Sequence, residues 1–401
     1  MSHRTSRDIF LKHVGQTSTF PLGLQIAKAE GIYVYSQEGK KYYDLNSGIS
    51  VSSLGHRHPE VIKAIKDQLD KHLHTMVYGE HIQLPQVKYA EALTKQLGQG
   101  LNCIYFLNSG SEVIEAGMKL LKRATGRYEI IACRNAYHGS TQGAESLRSD
   151  LAYSRAFLPL IPGIKHIDFN SFEDLQLITE STAGVIVEPV QAEGGVIPPD
   201  KDYLNKLSMR CQEVGALLML DEIQTGFGRT GELFAHQKYN IAPDLLAIGK
   251  AMGGGMPIGG LVGNEALISL FTKNPDLGHI TTFGGHPVPC AAALASLEVL
   301  TSSSIVDDVK KKESFIHTKL KHPIVQEIRS SGMLMAVELK RRKYLKHVVS
   351  HAFEKGALVD YFLFNNKSFR LAPPLIYTID ELNDACNVLL EAMDYAQSKY
   401  K

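Results

Sequence analysis

The sequence predicts an α/β protein with a large domain built on a mostly parallel central sheet and a smaller α+β domain formed by both chain ends. In the middle of the chain, short apolar runs rich in β-branched residues alternate with longer stretches of helical spacing, which is typical of a parallel sheet covered by helices. Before residue 50 the pattern is that of an antiparallel hairpin. We expect an N-terminal segment, 1–50, that joins the small domain, a large domain, 51–290, and a C-terminal small domain, 291–401.

Five apolar runs are predicted to be strands buried on both faces, as the strands of a parallel sheet usually are. They are Ile104–Leu107, Ile130–Cys133, Gly184–Glu188, Leu217–Asp221 and Leu245–Ile248. Helical spacing predicts helices in the gaps, among them Glu112–Gly126 and Tyr203–Gly215. Gly215 is expected to cap the second of these helices.

The two chain ends contain elements of a different kind. Gly31–Tyr35 and Lys41–Asp44 are predicted to pair as a hairpin around a turn at Glu38-Gly39. The C-terminal part predicts a long helix, strands within Ile328–Leu339 and a terminal helix from Asp380. We therefore expect the two ends to meet in one small domain.

The composition is that of a globular protein without a strongly basic or acidic balance. In 401 residues, 43 Lys plus Arg stand against 42 Asp plus Glu, and 44% of the residues are hydrophobic. The balance argues against a nucleic-acid partner, and no apolar stretch reaches the roughly 18 residues that a membrane span needs. Five scattered cysteines without a C-x-x-C pair and a polar start without an apolar signal segment favour the cytoplasm.

One candidate anion site follows a predicted strand and opens a predicted helix, at Asn108-Ser-Gly-Ser111. Backbone N–H groups, two hydroxyls and the positive end of a helix dipole converge there, and such groups bind phosphate. The segment lacks the Walker lysine and the G-x-G-x-x-G spacing, which disfavours a nucleotide ligand. An ordinary helix N-cap with a glycine turn explains the same residues, so both interpretations stay open.

A carboxylate, Asp221, ends another predicted strand directly after the apolar run Leu217–Leu220. Burying a carboxylate costs several kcal/mol without a partner, so a cationic or N–H-donating ligand group is indicated. The alternative is a capping aspartate in a strand-to-helix loop.

Lys250 lies just past a third predicted strand, in a loop with four nearby glycines. Burial in such a loop lowers the pKa of an amine toward nucleophilic use, whereas a solvated surface lysine is the alternative. A phosphate cup, a strand-end carboxylate and a buried lysine together fit pyridoxal 5′-phosphate. The lysine would form the Schiff base, the acid would keep the pyridine nitrogen protonated, and the cup would take the phosphate.

The run Asp221–Gly231 (DEIQTGFGRTG), followed by Pro243–Lys250 (PDLLAIGK), closely resembles the signature of class III pyridoxal-phosphate aminotransferases. This family includes acetylornithine, ornithine and 4-aminobutyrate aminotransferases, and the similarity extends from about Pro21 to the final helix. The resemblance implies a fold type I enzyme that moves an amino group from a small-molecule amine donor, an ω-amino acid, to a 2-oxo acid acceptor. It implies 2-oxoglutarate as the acceptor and a ping-pong mechanism.

The resemblance also implies roles for individual residues at the cofactor. Lys250 would be the catalytic Schiff-base lysine, Asp221 would pair with the pyridine nitrogen, and Gln224 would contact the ring hydroxyl. The other implied cofactor-binding residues are Ser109, Gly110 and Ser111 at the phosphate, Tyr137 and Ile223 on the two ring faces, His138, and Glu188. Thr282 would reach the phosphate of the other subunit, which implies a homodimer with shared active sites.

On the substrate side, the resemblance implies Arg370 as the residue that binds the α-carboxylate of glutamate, with Glu193 as its partner for other amines. The fork shape of a guanidinium suits bidentate carboxylate capture, although a surface salt bridge is the alternative. Gly48-Ile49 is similar to the acetylornithine and 4-aminobutyrate branches, so Ile49 is included as a substrate residue. Ser140 stands where members that handle acidic ω-substrates usually carry arginine, and Thr19 and Ile49 stand where ornithine aminotransferases place tyrosines.

Two other classes of function remain open at this point. A pyridoxal-phosphate lyase, decarboxylase or aminomutase on the same fold would share Lys250 and Asp221. A non-catalytic binding protein that retains the fold is the second alternative, although competent residues fill the cofactor positions. The histidines offer no metal site, because His56 with His58 and His72 with His74 lack the spacing and companions of a zinc motif.

Overall fold

The computed structural model describes residues 5–98 and 100–400, which form three β-sheets with α-helices packed around them. The strands are β1 (Ile26–Glu30), β2 (Tyr33–Ser36), β3 (Lys41–Asp44), β4 (Cys103–Leu107), β5 (Glu129–Cys133), β6 (Ile164–Ile167), β7 (Thr182–Val187), β8 (Leu217–Asp221), β9 (Leu245–Ile248), β10 (Gly259–Gly263), β11 (Val325–Ser331), β12 (Leu334–Leu339), β13 (Ala357–Leu358), β14 (Asp360–Tyr361) and β15 (Ser368–Leu371). The helices are α1 (Ser6–His13), α2 (Ser47–Ser50), α3 (Pro59–Leu69), α4 (Leu84–Leu97), α5 (Gly110–Thr125), α6 (Gln142–Ser146), α7 (Leu151–Ser154), α8 (Tyr203–Val214), α9 (Ala235–Tyr239), α10 (Glu265–Ile268), α11 (Pro287–Ser302), α12 (Val309–Lys319), α13 (Arg342–Lys355) and α14 (Ile379–Ser398). Within the described residues, none of these helices is long and apolar enough to cross a membrane.

The central sheet has seven strands in the order β4-β10-β9-β8-β7-β5-β6. Strand β10 is antiparallel to both of its neighbours, while β9, β8, β7, β5 and β6 pair in parallel, which confirms the predicted mostly parallel sheet. The prediction that Ile104–Leu107 is buried on both faces is wrong. The strand lies at the end of the sheet and has only one neighbouring strand, so Cys103 to Phe106 are only partly buried.

Both chain ends contribute to the smaller sheets, as the predicted fold class requires. The predicted hairpin is confirmed as the antiparallel pair β2 and β3, and β13 from the C-terminal part adds to it in parallel with β3. Ile32 and Leu45 pack in one hydrophobic cluster with C-terminal residues such as Leu389. The domain limits 1–50, 51–290 and 291–401 stay a prediction, which this shared cluster supports.

A buried arginine from the signature, Arg229, ties the two chain ends to the central region. Its Nη1 atom donates to the carbonyl oxygens of Met333 at 3.1 Å and Pro373 at 2.5 Å. Its Nη2 atom donates to the hydroxyls of Ser53 at 3.0 Å and Ser47 at 3.4 Å. The side chain is fully buried, and burial lowers the pKa of Arg229 to about 9. Hydrogen bonds to neutral oxygens thus hold three separate segments against one side chain.

The substitution Arg229→Met is expected to destabilise the fold, because the carbonyl oxygens of Met333 and Pro373 would lose a buried donor. Each unpaired carbonyl costs about 1–3 kcal/mol. Denaturant unfolding should show a lower midpoint for this variant, whereas Arg341→Met, at an exposed arginine, should stay within about 0.5 kcal/mol of the parent. Equal midpoints for the parent and both variants would show that the hydrogen bonds of Arg229 do not stabilise the fold.

Candidate active site

A cavity opens at the edge of the central sheet where the carboxyl ends of its parallel strands meet. Because β4, β5, β7, β8 and β9 run in the same direction, the residues that follow them lie at one edge. The cavity is lined by Ser109, Gly110 and Ser111 after β4, by Tyr137, His138 and Gly139 after β5, by Glu188 after β7, by Asp221, Ile223, Gln224 and Thr225 at and after the end of β8, and by Lys250 after β9.

The cavity brings together every predicted cofactor-binding residue except Thr282. Gly139 and Thr225 also line it, and the sequence analysis did not single them out although both lie within its motifs. Gly139 has a φ of +134°, and a Cβ atom there would lie 2.3 Å from Ser111 Oγ. The loop after β5 can therefore approach the loop after β4 this closely only with glycine at position 139.

Asp221 is held at the bottom of the cavity by two donors. Its Oδ2 atom lies 2.7 Å from His138 Nδ1, and its Oδ1 atom accepts the backbone N–H of Ile223 at 3.0 Å. Burial alone would lower the pKa of His138, but the hydrogen bond and charge of Asp221 outweigh it and raise that pKa. Asp221 thus favours the protonated form of the His138 imidazole.

Lys250 enters the cavity from a strained backbone position. It follows β9, begins a short 3-10 helix, Lys250–Gly253, and has a φ of +45°. Its Nζ atom donates to Gln224 Oε1 at 2.6 Å. Burial lowers the pKa of Lys250 to about 8 against the opposing charge of Glu193, and the charge of Arg370 adds to the lowering. About a tenth of the amine is then neutral at pH 7, far more than for an ordinary lysine of pKa about 10.4, and the neutral amine is the form that acts as a nucleophile.

The loop after β4 combines the two interpretations that its sequence left open. Ser109 is the N-cap of α5, and its hydroxyl accepts the backbone N–H of Glu112 at 3.3 Å. The same loop faces the cavity, so the positive end of a 16-residue helix points at it. A Cβ atom on Gly110 would lie 2.9 Å from Ile223 Cδ1, so glycine lets the loop approach the base of the cavity.

Glu188 is the second buried acid that lines the cavity, after Asp221. Its carboxylate accepts the backbone N–H groups of Ala192 at 3.2 Å and Tyr137 at 3.4 Å. Burial raises the pKa of Glu188 to about 7 despite the opposing charge of His138. Glu188 therefore exchanges a proton near neutral pH.

Arg370 and Glu193 form a buried ion pair near Lys250. Arg370 Nη2 lies 2.6 Å and 2.7 Å from the two carboxylate oxygens of Glu193. Glu193 also accepts the backbone N–H of Leu363 at 3.1 Å, while Arg370 Nε and Nη1 are buried without a partner in the described residues. The predicted neighbours are therefore in contact, and Arg370 keeps donors free for a further acceptor.

Four predicted residues do not line the cavity: Arg370 and Glu193, described above, and Thr282 and Ile49. Thr282 is exposed, next to Thr281, whose hydroxyl accepts from Asn108 Nδ2 at 2.8 Å. Ile49 is partly buried in α2, where all four residues have positive φ; Gly48 and Ile49 have φ of 61° and 64°. Left-handed backbone at a β-branched residue is unfavourable, and Asn46 supports this turn by accepting the N–H of Gly48 at 3.0 Å.

The donor set of the cavity fits pyridoxal 5′-phosphate. A helix N-terminus suits the phosphate, Asp221 suits a protonated ring nitrogen, and Lys250 suits the carbonyl carbon. The amide Nε2 of Gln224 is buried without a partner in the described residues, so it can donate to a ring oxygen. Fold and site together define a pyridoxal-phosphate-dependent enzyme of fold type I.

Comparisons with known proteins give the family. The model of the family "Aminotransferase class-III" matches residues 14–393, so the chain belongs to the class III aminotransferases. The chain is 36% identical over 379 residues to the acetylornithine aminotransferase of Clostridium acetobutylicum, covering 91% of this chain and 95% of that one. It is 38% identical over 375 residues to the putrescine aminotransferase of Pectobacterium atrosepticum, covering 89% and 79%.

Solved structures agree with this assignment. The ornithine aminotransferase of Toxoplasma gondii superposes with a TM-score of 0.90 at 29% identity, covering 97% of this chain and 93% of that chain, and its description records pyridoxal phosphate at the active site. A second structure of that enzyme gives a TM-score of 0.90 over 99% and 97% of the two chains at 29% identity. Class III aminotransferases use pyridoxal 5′-phosphate, and it is the cofactor of this protein.

The lowered pKa of Lys250 can be measured on the protein without cofactor. Only the neutral amine reacts in reductive methylation, so labelling should rise with pH through a midpoint near 8. An ordinary lysine amine has a pKa of about 10.4, so peptides with surface lysines from the same digest are the internal reference. Mass spectrometry that finds Lys250 and the surface lysines labelled with the same pH dependence would contradict the buried-amine account.

Proposed function

We propose that the protein transfers an amino group from an ω-amino acid or a related terminal amine to 2-oxoglutarate in a ping-pong cycle. The observation that carries this proposal is the buried Arg370–Glu193 pair next to Lys250. The names of the acetylornithine and putrescine aminotransferase relatives support a donor with a terminal amino group.

The ion pair suits a site that accepts two chemically different substrates in turn. A terminal amine has no carboxylate beside its reacting carbon, so Glu193 stays on Arg370 and neutralises it. The acceptor carries a carboxylate beside its oxo group. That carboxylate replaces Glu193 on the guanidinium of Arg370. The N–H of Leu363, already 3.1 Å from Glu193, can keep that carboxylate hydrogen-bonded when it releases Arg370.

The other residues divide the remaining tasks. When bound, pyridoxal 5′-phosphate carries the amino group between the two substrates and withdraws electrons from the reacting carbon. Lys250 holds the cofactor and moves the proton at the reacting carbon, for which its lowered pKa is suited. Asp221, oriented by His138, keeps the ring nitrogen protonated. Glu188 supports the cofactor face through the backbone of Tyr137.

The roles of Thr282 and Ile49 belong to this proposal as well. Thr282 lies exposed among the exposed apolar side chains of Ile280 and Phe283, which is the kind of surface that a second copy of the chain would cover. We therefore infer a homodimer in which Thr282 completes the partner's phosphate site and Ile49 borders the donor. We also infer a cytoplasmic location, which the five free cysteines support.

The proposed reaction predicts that the holoenzyme, mixed with N-acetylornithine, putrescine or 4-aminobutyrate alone, converts its cofactor once and then stops. Addition of 2-oxoglutarate should restart the reaction and form glutamate in an amount equal to the donor consumed. Spectra of the cofactor and product analysis measure both steps. Release of CO₂ or ammonia from the donor without acceptor would instead identify a decarboxylase or lyase.

The same half-reactions test the residue that carries the proposal. Arg370→Ala should weaken the glutamate half-reaction by roughly ten- to a hundredfold, because a charge-assisted contact is worth about 1.5–3 kcal/mol. The terminal-amine half-reaction should change much less, because that donor leaves no carboxylate for Arg370 to bind. Equal losses in the two half-reactions would remove Arg370 from the α-carboxylate role.

Subunit mixing tests the shared site. Lys250→Ala and Thr282→Ala should each reduce activity, since one removes the amine and the other a contact to the phosphate. In a mixed dimer one site would carry both lesions and the other neither, so subunit exchange should restore activity. With exchange demonstrated by mass spectrometry, a mixture no more active than its two components would place Lys250 and Thr282 in the same subunit's site or remove Thr282 from it.

A further inference from the structure

A dicarboxylic acceptor has a second carboxylate, and the residue beside Tyr137 carries no charge to bind it. Ser140 stands at that position, and its hydroxyl lies 3.1 Å from the hydroxyl of Tyr137. Arg370 serves the carboxylate next to the oxo group in the proposed function, on which the present inference rests. Selection of 2-oxoglutarate over a monocarboxylic acid such as pyruvate therefore needs another cation near Tyr137.

Arg148 is a nearly buried cation next to Tyr137, and the sequence analysis did not single it out. Its guanidinium carbon lies 5.2 Å from the ring centre of Tyr137 and 5.3 Å from that of Tyr153. Only 8% of the side chain is exposed. One Nη atom contacts Glu145 at 3.2 Å, while Nε is buried without a partner in the described residues.

A chain of contacts connects Arg148 to Arg370. The Tyr153 hydroxyl donates to the carbonyl oxygen of Leu363 at 3.1 Å. The N–H of Leu363 in turn donates to Glu193 at 3.1 Å, and Glu193 pairs with Arg370. The two arginines are thus linked through one tyrosine, one backbone segment and one glutamate, with Tyr137 of the cavity lining next to Arg148.

The two arginines also share a chemical arrangement. Each is almost fully buried, each has a glutamate partner, and each keeps at least one N–H group without an acceptor in the described residues. Burial raises the pKa of Glu145 although the charge of Arg148 opposes the rise, so this glutamate is a poorly satisfied counterion. A carboxylate from a substrate would be a better-matched acceptor for the free side of the guanidinium.

We propose that Arg148 binds the carboxylate of the acceptor that is remote from the oxo group and thereby selects a dicarboxylic over a monocarboxylic 2-oxo acid. Glu145 holds the guanidinium in place when the site is empty or contains a terminal amine. The rings of Tyr137 and Tyr153, 5.2 Å and 5.3 Å from the Arg148 guanidinium carbon, restrict the position of the guanidinium, whose fork shape suits bidentate capture. Ser140 leaves this position uncharged and so leaves room for the contact.

The test compares acceptors on the aminated form of the holoenzyme. Arg148→Gln should lower kcat/KM for 2-oxoglutarate by roughly ten- to a hundredfold, mainly through KM, since one charge-assisted contact is lost. The reaction with pyruvate should change less than threefold, so the preference for 2-oxoglutarate collapses. Arg155→Gln, at an exposed arginine seven residues along the chain, is the matched control and should leave both acceptors unchanged.

The acceptor ratio separates binding from a merely structural role. If Arg148 only supports Tyr137, then Arg148→Gln should slow both acceptors equally and alter the cofactor spectrum, and this result would overturn the inference. An unchanged ratio with full activity would overturn it as well. If the parent enzyme uses pyruvate and 2-oxoglutarate equally well, the proposed preference for 2-oxoglutarate is wrong before any variant is made. The proposed role of Arg148 is then wrong too.

Discussion

The properties of the site depend on the free-energy cost of burying several charged groups close together, away from water. Asp221 and Glu193 meet this cost with short contacts to His138 and Arg370. Among residues 5–98 and 100–400, Lys250 and Glu188 have no charged partner at such distances, and burial shifts the pKa of each toward the neutral form, to about 8 and about 7. Lys250 and Glu188 can therefore exchange protons near neutral pH, whereas Asp221 and Glu193 are held by their partners.

The fold creates this arrangement by bringing strand ends and chain ends together. Parallel strands place the loop Ser109–Ser111, Asp221 and Lys250 at one edge of the central sheet, and β15 carries Arg370, from the C-terminal part, close enough for its charge to act on Lys250. Arg229 fastens the segments around Ser47 and Pro373 to the signature that begins at Asp221. The residues of the proposed cofactor site and of the proposed substrate site therefore come from different parts of the chain, which one buried arginine joins.

Sequence reasoning found the features that leave a local pattern and missed those that arise from packing. Lys250 and Asp221 were predictable because each follows an apolar strand, and the signature around them is specific. Strand β10 was missed because Gly259, Gly260 and Gly263 do not read as a strand, although Gly260 is needed where a Cβ would lie 2.6 Å from Ile104 Cδ1. Arg148 lies outside every motif, so only its closeness to the rings of Tyr137 and Tyr153 reveals it.

The central claim is that Lys250 is the amine that holds the cofactor. Borohydride reduction of the holoenzyme converts a lysine–cofactor double bond into a stable secondary amine, and digestion followed by mass spectrometry identifies the lysine that carries it. The account predicts loss of the yellow colour, one modified peptide, and the cofactor attached to Lys250. Attachment to any other lysine, or an unmodified Lys250 after complete loss of colour, would contradict the account.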